Sequence, residues 1–380
     1  MRHVRVLTAA MATLAAALAV TVHQQAATAA PGCVSSTPFT SGTGGYHTVR
    51  IPALVSARGV LVAFAEGRRA GGADNGDIEV VSRRSTDGGC TWGPVRRVAD
   101  NGYDTVGNPA PVFDPETGRI VLLTVRQSGK VTQADIQAGR VSAAAGRRVY
   151  VQTSSDNGAT WTTPREITSA TKKSSWRWYA TGPGHGIALA SGRLVIPADH
   201  TGAGLLRGSH LLLSDDHGRT WRIGAVDDHT DGRVNPDETA VAQLPDGRLY
   251  LNARDEGGTD PATRAFTYSL TNGSTFSAPF RPIPALVAPV VKGTLLQDTG
   301  TSCKPLLFSA PQDPTQRRNL TVRRSTDAGR TWRTELVVTP GPAAYSDLAK
   351  LDRTTAGVLY ETGAAGPYEQ IRFRPFTVGC

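Results

Sequence analysis

Four aspartates stand in one eight-residue frame, S-x-D-x-G-x-T-W. Asp87 lies in Ser85-Thr-Asp87-Gly-Gly89-Cys-Thr91-Trp92, and Asp156 in Ser154-Ser-Asp156-Asn-Gly158-Ala-Thr160-Trp161. Asp216 and Asp327 repeat it in Ser214-Asp-Asp216-His-Gly218-Arg-Thr220-Trp221 and Ser325-Thr-Asp327-Ala-Gly329-Arg-Thr331-Trp332. A carboxylate in a fixed frame could act as a general acid or base. One active site does not need four copies, however, and the frame has the chemistry of a turn. Its Asp can accept hydrogen bonds from backbone N–H groups just ahead. Its Gly takes the positive φ the turn needs, and its Trp can bury a large apolar face under the hairpin. These aspartates therefore read as turn staples. A decayed copy stands at Ser269-Leu-Thr-Asn272-Gly273-Ser-Thr275-Phe276.

The chain has no H-E-x-x-H, no G-x-S-x-G and no G-x-x-x-x-G-K-[ST]. Catalytic groups must therefore be assembled from positions far apart in sequence. The elements that would assemble them are strands. Val60–Phe64, Ile78–Arg83, Arg119–Val125, Arg193–Ile196, Arg248–Asn252 and Leu320–Arg323 have strand composition and are bounded by Gly, Pro, Asp and Asn. Asp246-Gly247 reads as a hairpin turn, and no long stretch shows helical period. The copies stand roughly 55 to 70 residues apart once the decayed one is counted, close to the 40–60 of a four-stranded blade with its loops. This predicts an all-β chain, a six-bladed β-propeller forming one domain over residues 31–380. In such a fold the innermost strands face one central mouth.

Residues 1–30 read as a secretory signal. Arg2, His3 and Arg5 precede an apolar, Ala-rich run from Leu7 to Val22, and Ala27-Thr28-Ala29 supplies small residues for cleavage near Ala29 or Ala30. The expected product is secreted, with no membrane span. Four cysteines, Cys33, Cys90, Cys303 and Cys380, form no C-x-x-C pair. In an exported protein they suggest disulfides in one of three pairings. A ring-shaped fold brings its ends together, which favours Cys33–Cys380. The net charge of +9 suits an anionic partner. Nucleic acid is a poor fit, because the arginines are dispersed and no binding motif is present.

Residues from about Tyr46 to Phe376 resemble the sialidases of glycoside hydrolase family 33. The repeat looks like that family's Asp box. Arg50-Ile51-Pro52 looks like its [FY]RIP motif, with Val49 in place of the usual aromatic. The resemblance implies a division of roles. Arg50, Arg254 in Leu251-Asn-Ala-Arg254-Asp, and Arg317 would form a carboxylate-binding triad. Asp74 in Gly71-Gly-Ala-Asp74-Asn-Gly76-Asp77 would be the acid/base. Glu238 in Asn235-Pro-Asp-Glu238-Thr would partner the nucleophile, Tyr345 in Ala344-Tyr345-Ser-Asp-Leu348. Arg69 resembles a position that contacts ring substituents. Asn108 and His185 sit in family-like segments that turn chemistry would also explain. Three choices rest on strand alternation or local context: Arg317 over Arg318, Asp74 over Asp77, and Glu238 over Asp237. Arg68 could serve in place of Arg69.

The implied chemistry accounts for these residue types. A sialic acid carries a carboxylate on its reacting carbon, and guanidinium groups bind carboxylate bidentately at any working pH. A carboxylate nucleophile would be repelled by that group, whereas tyrosine approaches neutral and a nearby Glu takes its proton. Asp74 would protonate the leaving oxygen and then activate water, a double displacement with retention. The expected protein is a monomeric exo-α-sialidase acting on sialylated glycans without a cofactor or metal. The same residues would serve a trans-sialidase or a hydrolase of deaminated sialic acid. A non-catalytic sialoglycan-binding propeller is the alternative of a different class.

Overall fold

The computed structural model describes residue 1 and residues 33–380, except 228 and 230. The expected signal segment lies outside the described residues. All six strand segments expected from composition fall on strands, and helix is confined to short turns such as Gln133–Gln137 and Thr168–Thr171. No helix among the described residues is long and apolar enough to cross a membrane.

The strands form successive antiparallel meanders, each running outward from a central strand. Thr48–Ala57, Val60–Arg68, Ile78–Ser85 and Arg96–Ala99 pair in that order. Thr105–Asp114, Arg119–Gln127, Arg148–Ser154 and Arg165–Glu166 follow. Next come Tyr179–Thr181, Leu194–Thr201, Arg207–Ser214 and Arg222–Asp227. Pro236–Gln243 starts a further meander through Leu249–Asp255 and Arg264–Ser269. The turn at Asp246-Gly247 joins its first two strands, with Gly247 N–H donating to Leu244 O at 2.9 Å. Thr294–Gln297, Leu306–Pro311 and Arg318–Ser325 lead into the long strand Arg333–Lys350. The second half of that strand begins the last meander, with Thr355–Thr362 and Gln370–Thr377. Ser36–Thr40, from the other end of the chain, pairs with Gln370–Thr377 and completes it. Neighbouring central strands pack on one another around the middle. Apolar clusters fill the spaces between the sheets, such as Leu123, Val149 and Ile196 with Trp176 and Trp221.

The boxes are the staples expected of them. Asp156 accepts from Thr160 N–H at 2.8 Å and Thr160 Oγ1 at 2.6 Å, while Ser154 Oγ accepts from Gly158 N–H at 2.8 Å. Asp87, Asp216 and Asp327 repeat these bonds. In the decayed copy Thr271 Oγ1 substitutes for the carboxylate and accepts from Thr275 N–H at 2.8 Å. The Trp works differently from the expectation. It packs on the neighbouring meander as well as under its own hairpin. Trp161 meets Phe64 edge-on at 5.7 Å, and Trp92 meets Phe373 at 5.6 Å. The box glycines sit against the same neighbour. A Cβ on Gly158 would lie 3.1 Å from Val62, and one on Gly89 would overlap the Phe373 ring. Each box therefore closes its own hairpin and seals one sheet to the next.

The disulfides correct the expected Cys33–Cys380 bond. Cys33 pairs with Cys90, and Cys303 with Cys380, at Cα separations of 5.5 and 5.8 Å. The terminal strands do lie side by side, but the ends beyond them part. Ser36 accepts from Trp92 Nε1 at 2.8 Å, which keeps Cys33 beside the first box. Gly379 N–H donates to Glu335 at 2.6 Å and carries Cys380 towards the loop of Cys303.

Central strands are bulged where they reach the mouth. Register shifts fall between Arg50 and Ala53, Gly107 and Ala110, Pro236 and Thr239, and Ala343 and Ser346. Ile51 and Asn108 take positive φ at 59° and 52° inside two of them. A bulge re-aims side chains that strict alternation would send to opposite faces. At these four places it turns polar residues into one cavity.

Candidate active site

That cavity has a volume of about 260 Å³ and is lined almost wholly by polar residues, among them Arg50, Asp74, Glu238, Arg254, Arg317 and Tyr345. The six are spread over 295 residues of chain, and the fold brings them to one mouth, three of them, Arg50, Glu238 and Tyr345, at bulges.

Tyr345 is its centre. Its hydroxyl donates to Glu238 Oε1 at 2.6 Å, and Arg254 Nη1 donates both to Glu238 Oε2 at 2.9 Å and to the Tyr345 oxygen at 3.2 Å. Burial pushes the phenol well above its ordinary pKa, and the Glu238 charge pushes the same way against the pull of Arg254, Arg50 and Arg317. The resting phenol is thus neutral, with its base already in hydrogen-bond contact. The guanidinium groups of Arg50 and Arg317 lie 5.2 and 5.5 Å from the centre of its ring.

Two residues that the sequence did not single out hold this arrangement. Glu361 is fully buried and accepts from Arg50 Nε at 3.1 Å and Nη2 at 3.2 Å. The same carboxylate accepts the backbone N–H groups of Ile51 at 2.8 Å and Tyr345 at 3.0 Å. It thereby ties the first arginine to the tyrosine's own backbone. Tyr368 accepts from Arg317 Nη1 at 2.8 Å and lies under the Arg50 guanidinium at 4.2 Å. Glu361 carries a faint sequence signal, a charged group near the end of an apolar strand after Val358-Leu-Tyr, whereas Tyr368 lies in the turn that follows and carries none.

Asp74 stands at the rim on the loop between Arg68 and Ile78, with its side chain 61% exposed. Arg68 Nη2 lies 2.7 Å from its carboxylate. Partial desolvation pushes the Asp74 pKa up, but Arg68 and Arg50 together hold it below its ordinary value. Asp77 lies outside the cavity, next to Arg69 at 3.7 Å. Arg318 is exposed at the start of its strand, while Arg317 lines the cavity. Glu238 and Asp237 both line it, because the bulge after Pro236 breaks the alternation expected to separate them.

The expectation for Arg69 is reversed. Arg69 pairs with Glu79 and Asp77 and covers the Tyr46 ring at 5.1 Å, away from the cavity. Arg68 lines it instead. Glu66 and Arg68 share one face of the strand Val60–Arg68, and Glu66 Oε2 accepts from Arg68 Nη2 at 2.7 Å. Asn108 does line the cavity. Its N–H donates to Glu66 Oε1 at 2.8 Å, and its side-chain oxygen accepts from Arg147 Nη1 at 2.8 Å. His185 does not line it. Its ring Nδ1 and backbone N–H both meet Asp347, at 2.8 and 3.0 Å. Asp347 also takes Leu54 N–H at 2.8 Å and Thr294 Oγ1 at 2.7 Å, and so gathers four segments beneath Tyr345.

The arrangement suits one kind of chemistry. Three guanidinium groups face a neutral phenol already hydrogen-bonded to a carboxylate, and a second carboxyl stands at the open rim; such a set could bind an anionic group and let the phenol act as a base-assisted nucleophile. Among the described residues no group of three His, Cys, Asp or Glu is placed to hold a metal ion.

Residues 59–358 match the family model described as a BNR repeat-like domain. The chain is similar to the Exo-alpha-sialidase of Aspergillus fumigatus, 32% identical over 300 residues that make up 75% of this chain and 69% of the relative. It is equally similar to the Sialidase of Micromonospora viridifaciens, 32% identical over 362 residues, 89% of this chain. It spans 54% of that relative's length. Among solved structures it is similar to the Hadza microbial sialidase Hz136, with a TM-score of 0.79 and 28% identity over 90% of this chain and 68% of that one.

Proposed function

Since this chain belongs to the sialidase family built on the BNR repeat-like domain, we propose that it is a retaining exo-α-sialidase that releases terminal sialic acids from glycoconjugates. In this reading Arg50, Arg254 and Arg317 bind the carboxylate on the anomeric carbon. The Tyr345 oxygen attacks that carbon as Glu238 takes the phenolic proton. Asp74 in its acid form gives a proton to the leaving glycosidic oxygen. The glycosyl–tyrosine bond is then broken by water. Asp74 removes the water's proton, and Glu238 returns one to the departing phenol. Two displacements at one carbon restore its configuration.

The observation that carries this reading is the 2.6 Å contact of Tyr345 with Glu238, bridged by Arg254 inside the cavity. A lectin would need the arginines and not a nucleophile already joined to its base. The reading extends to a monomeric, cofactor-free protein exported by residues 1–30. It also takes residues 31–380 as one domain of six blades, on the support of the successive meanders and the pairing of the two terminal strands. Two measurements test the chemistry. Proton NMR of early product should give the α-anomer first. A 3-fluoro sialosyl fluoride should leave a covalent label on Tyr345 in peptide mass spectra. A β-anomer first, or a label on a carboxylate, refutes the mechanism.

A further inference from the structure

The cavity wall that faces the arginines and Tyr345 holds two polar groups that the proposed chemistry does not use. Arg147 and Asp199 both line the cavity and are only 3% and 2% exposed. Arg147 Nε and Asp199 Oδ2 are buried, and neither has a hydrogen-bond partner among the described residues. Buried groups of this kind are rare and need an explanation. Both belong to residues that line a cavity a ligand would fill.

The wall is built rather than incidental. The Arg147 guanidinium stacks on Trp178 at 3.8 Å, and Asn108 Oδ1 fixes its Nη1. Asn108 is itself held in a left-handed conformation by the Glu66 carboxylate on its N–H. Asp199 lies beside Asp237 and Glu238, and burial together with those two charges pushes its carboxyl well above the ordinary pKa; Asp237 is itself paired with Arg207 at 2.9 Å. Asn108, Arg147, Trp178 and Asp199 come from segments between residues 105 and 207. The arginines and Tyr345 come from strands that lie before and after that stretch.

Placing the anomeric carbon at Tyr345 puts the ring carbon directly across the sugar, C5, towards this wall. Its substituent is either an acetamido group, as in N-acetylneuraminic acid, or a hydroxyl, as in the deaminated sugar. A hydroxyl can pair with the Asp199 carboxyl and accept from the Arg147 guanidinium. An acetamido group also carries a methyl that needs apolar surface. The apolar residues of this wall are Trp178 and Ala180, and the Trp178 face is covered by Arg147. The methyl would lie against the Arg147 guanidinium and the Asp199 carboxyl and strip them of water.

We propose that Arg147 and Asp199 are specificity determinants that select sialic acids bearing a hydroxyl, rather than an acetamido group, at C5. This rests on the sialidase reading and narrows its substrate class. A polar wall that a hydroxyl can satisfy, and whose water an acetamido methyl would displace without replacing its hydrogen bonds, discriminates against the acetamido sugar. The preference in kcat/KM should therefore be at least about tenfold.

The test compares paired 4-methylumbelliferyl α-glycosides of the deaminated sugar and of N-acetylneuraminic acid. Wild-type protein, Arg147→Met and Asp199→Ala are assayed, each checked for fold by circular dichroism and melting. The account expects the wild type to favour the deaminated sugar. Either folded variant should lower that ratio at least about fivefold, through the loss of one hydrogen bond to the sugar hydroxyl. A wild type that cleaves both sugars equally, or favours the acetamido sugar, overturns the proposal and leaves the sialidase reading standing. So does a ratio unchanged in the folded variants. Cleavage of neither sugar sinks the sialidase reading itself.

Discussion

Tyr345 donates its hydroxyl proton to Glu238 at 2.6 Å, across 107 residues of chain. Glu361 fixes the same tyrosine from behind by accepting its backbone N–H at 3.0 Å. One carboxylate is placed to remove a proton, and the other holds the strand still while this happens. Burial keeps the phenol neutral well past its ordinary pKa, so in the proposed mechanism proton transfer to Glu238 would accompany attack rather than precede it.

The Asp74–Arg68 pair sets the expected pH dependence. Asp74 is held below the ordinary carboxylate value of about 3.9, so the free protein carries it ionised at neutral pH. As a general acid it must be protonated. For a natural sugar leaving group kcat/KM should therefore rise as pH falls towards the carboxylate range. Arg68→Gln removes the nearest positive charge and should move the basic limb up by about one unit or more. A pH–rate profile on a sialyl-lactose substrate checks this, and an unmoved limb contradicts it.

Tyr368 tests whether the carboxylate clamp is set in advance. Tyr368→Phe loses the bond from Arg317 but keeps the ring beneath Arg50. One lost hydrogen bond is worth about 1 kcal/mol, so KM should rise about fivefold. If Arg317 serves ground state and transition state alike, kcat should stay within about twofold. Steady-state kinetics with both constants resolved decide it.

Asp347 should act through stability. It is fully buried, and although burial pushes its pKa up, His185, Lys292 and Thr294 hold it well below the ordinary value. A carboxyl with a depressed folded pKa contributes stability above its unfolded value, about 4, and loses it as pH falls towards the folded value. Asp347→Asn should cost about 3–5 kcal/mol at pH 7 by stranding Lys292 and His185. The gap from wild type should narrow below about pH 4. Urea melts at several pH values measure it.

The box aspartates should matter to stability alone. Asp156→Ala loses the bonds from Thr160 N–H and Oγ1 and should cost about 1–3 kcal/mol. The specific activity of the folded fraction should be unchanged. A large fall in kcat would return these aspartates to the chemistry.

Much of this could be read from sequence because the box is local. Asp156 meets Thr160 four residues on, so the turn is spelled in one stretch of chain, and the strand runs between boxes have a clear period. The site residues carried by short motifs, Arg50, Asp74, Glu238, Arg254, Arg317 and Tyr345, all reach the cavity. What escaped depends on geometry that alternation misreads. Asp237 joins Glu238 in the cavity because of a bulge, and no residue type announces that bulge. Arg68 displaces Arg69 because Glu66, on the same strand face, orients it. Glu361 and Tyr368 meet their arginines only through the closed fold, 311 and 51 residues distant. Cys33 follows Trp92 rather than the other end of the chain for the same reason.

The most direct test of the central claim is single-turnover release of a fluorogenic α-sialoside by wild type and Tyr345→Phe, with both N-acetylated and deaminated sugars. The account predicts release by the wild type. It also predicts at least about a thousandfold loss in a folded Tyr345→Phe, which keeps the arginines and so still binds a sialic acid inhibitor. Full activity in Tyr345→Phe would show that the bond is broken without this tyrosine and would contradict the account.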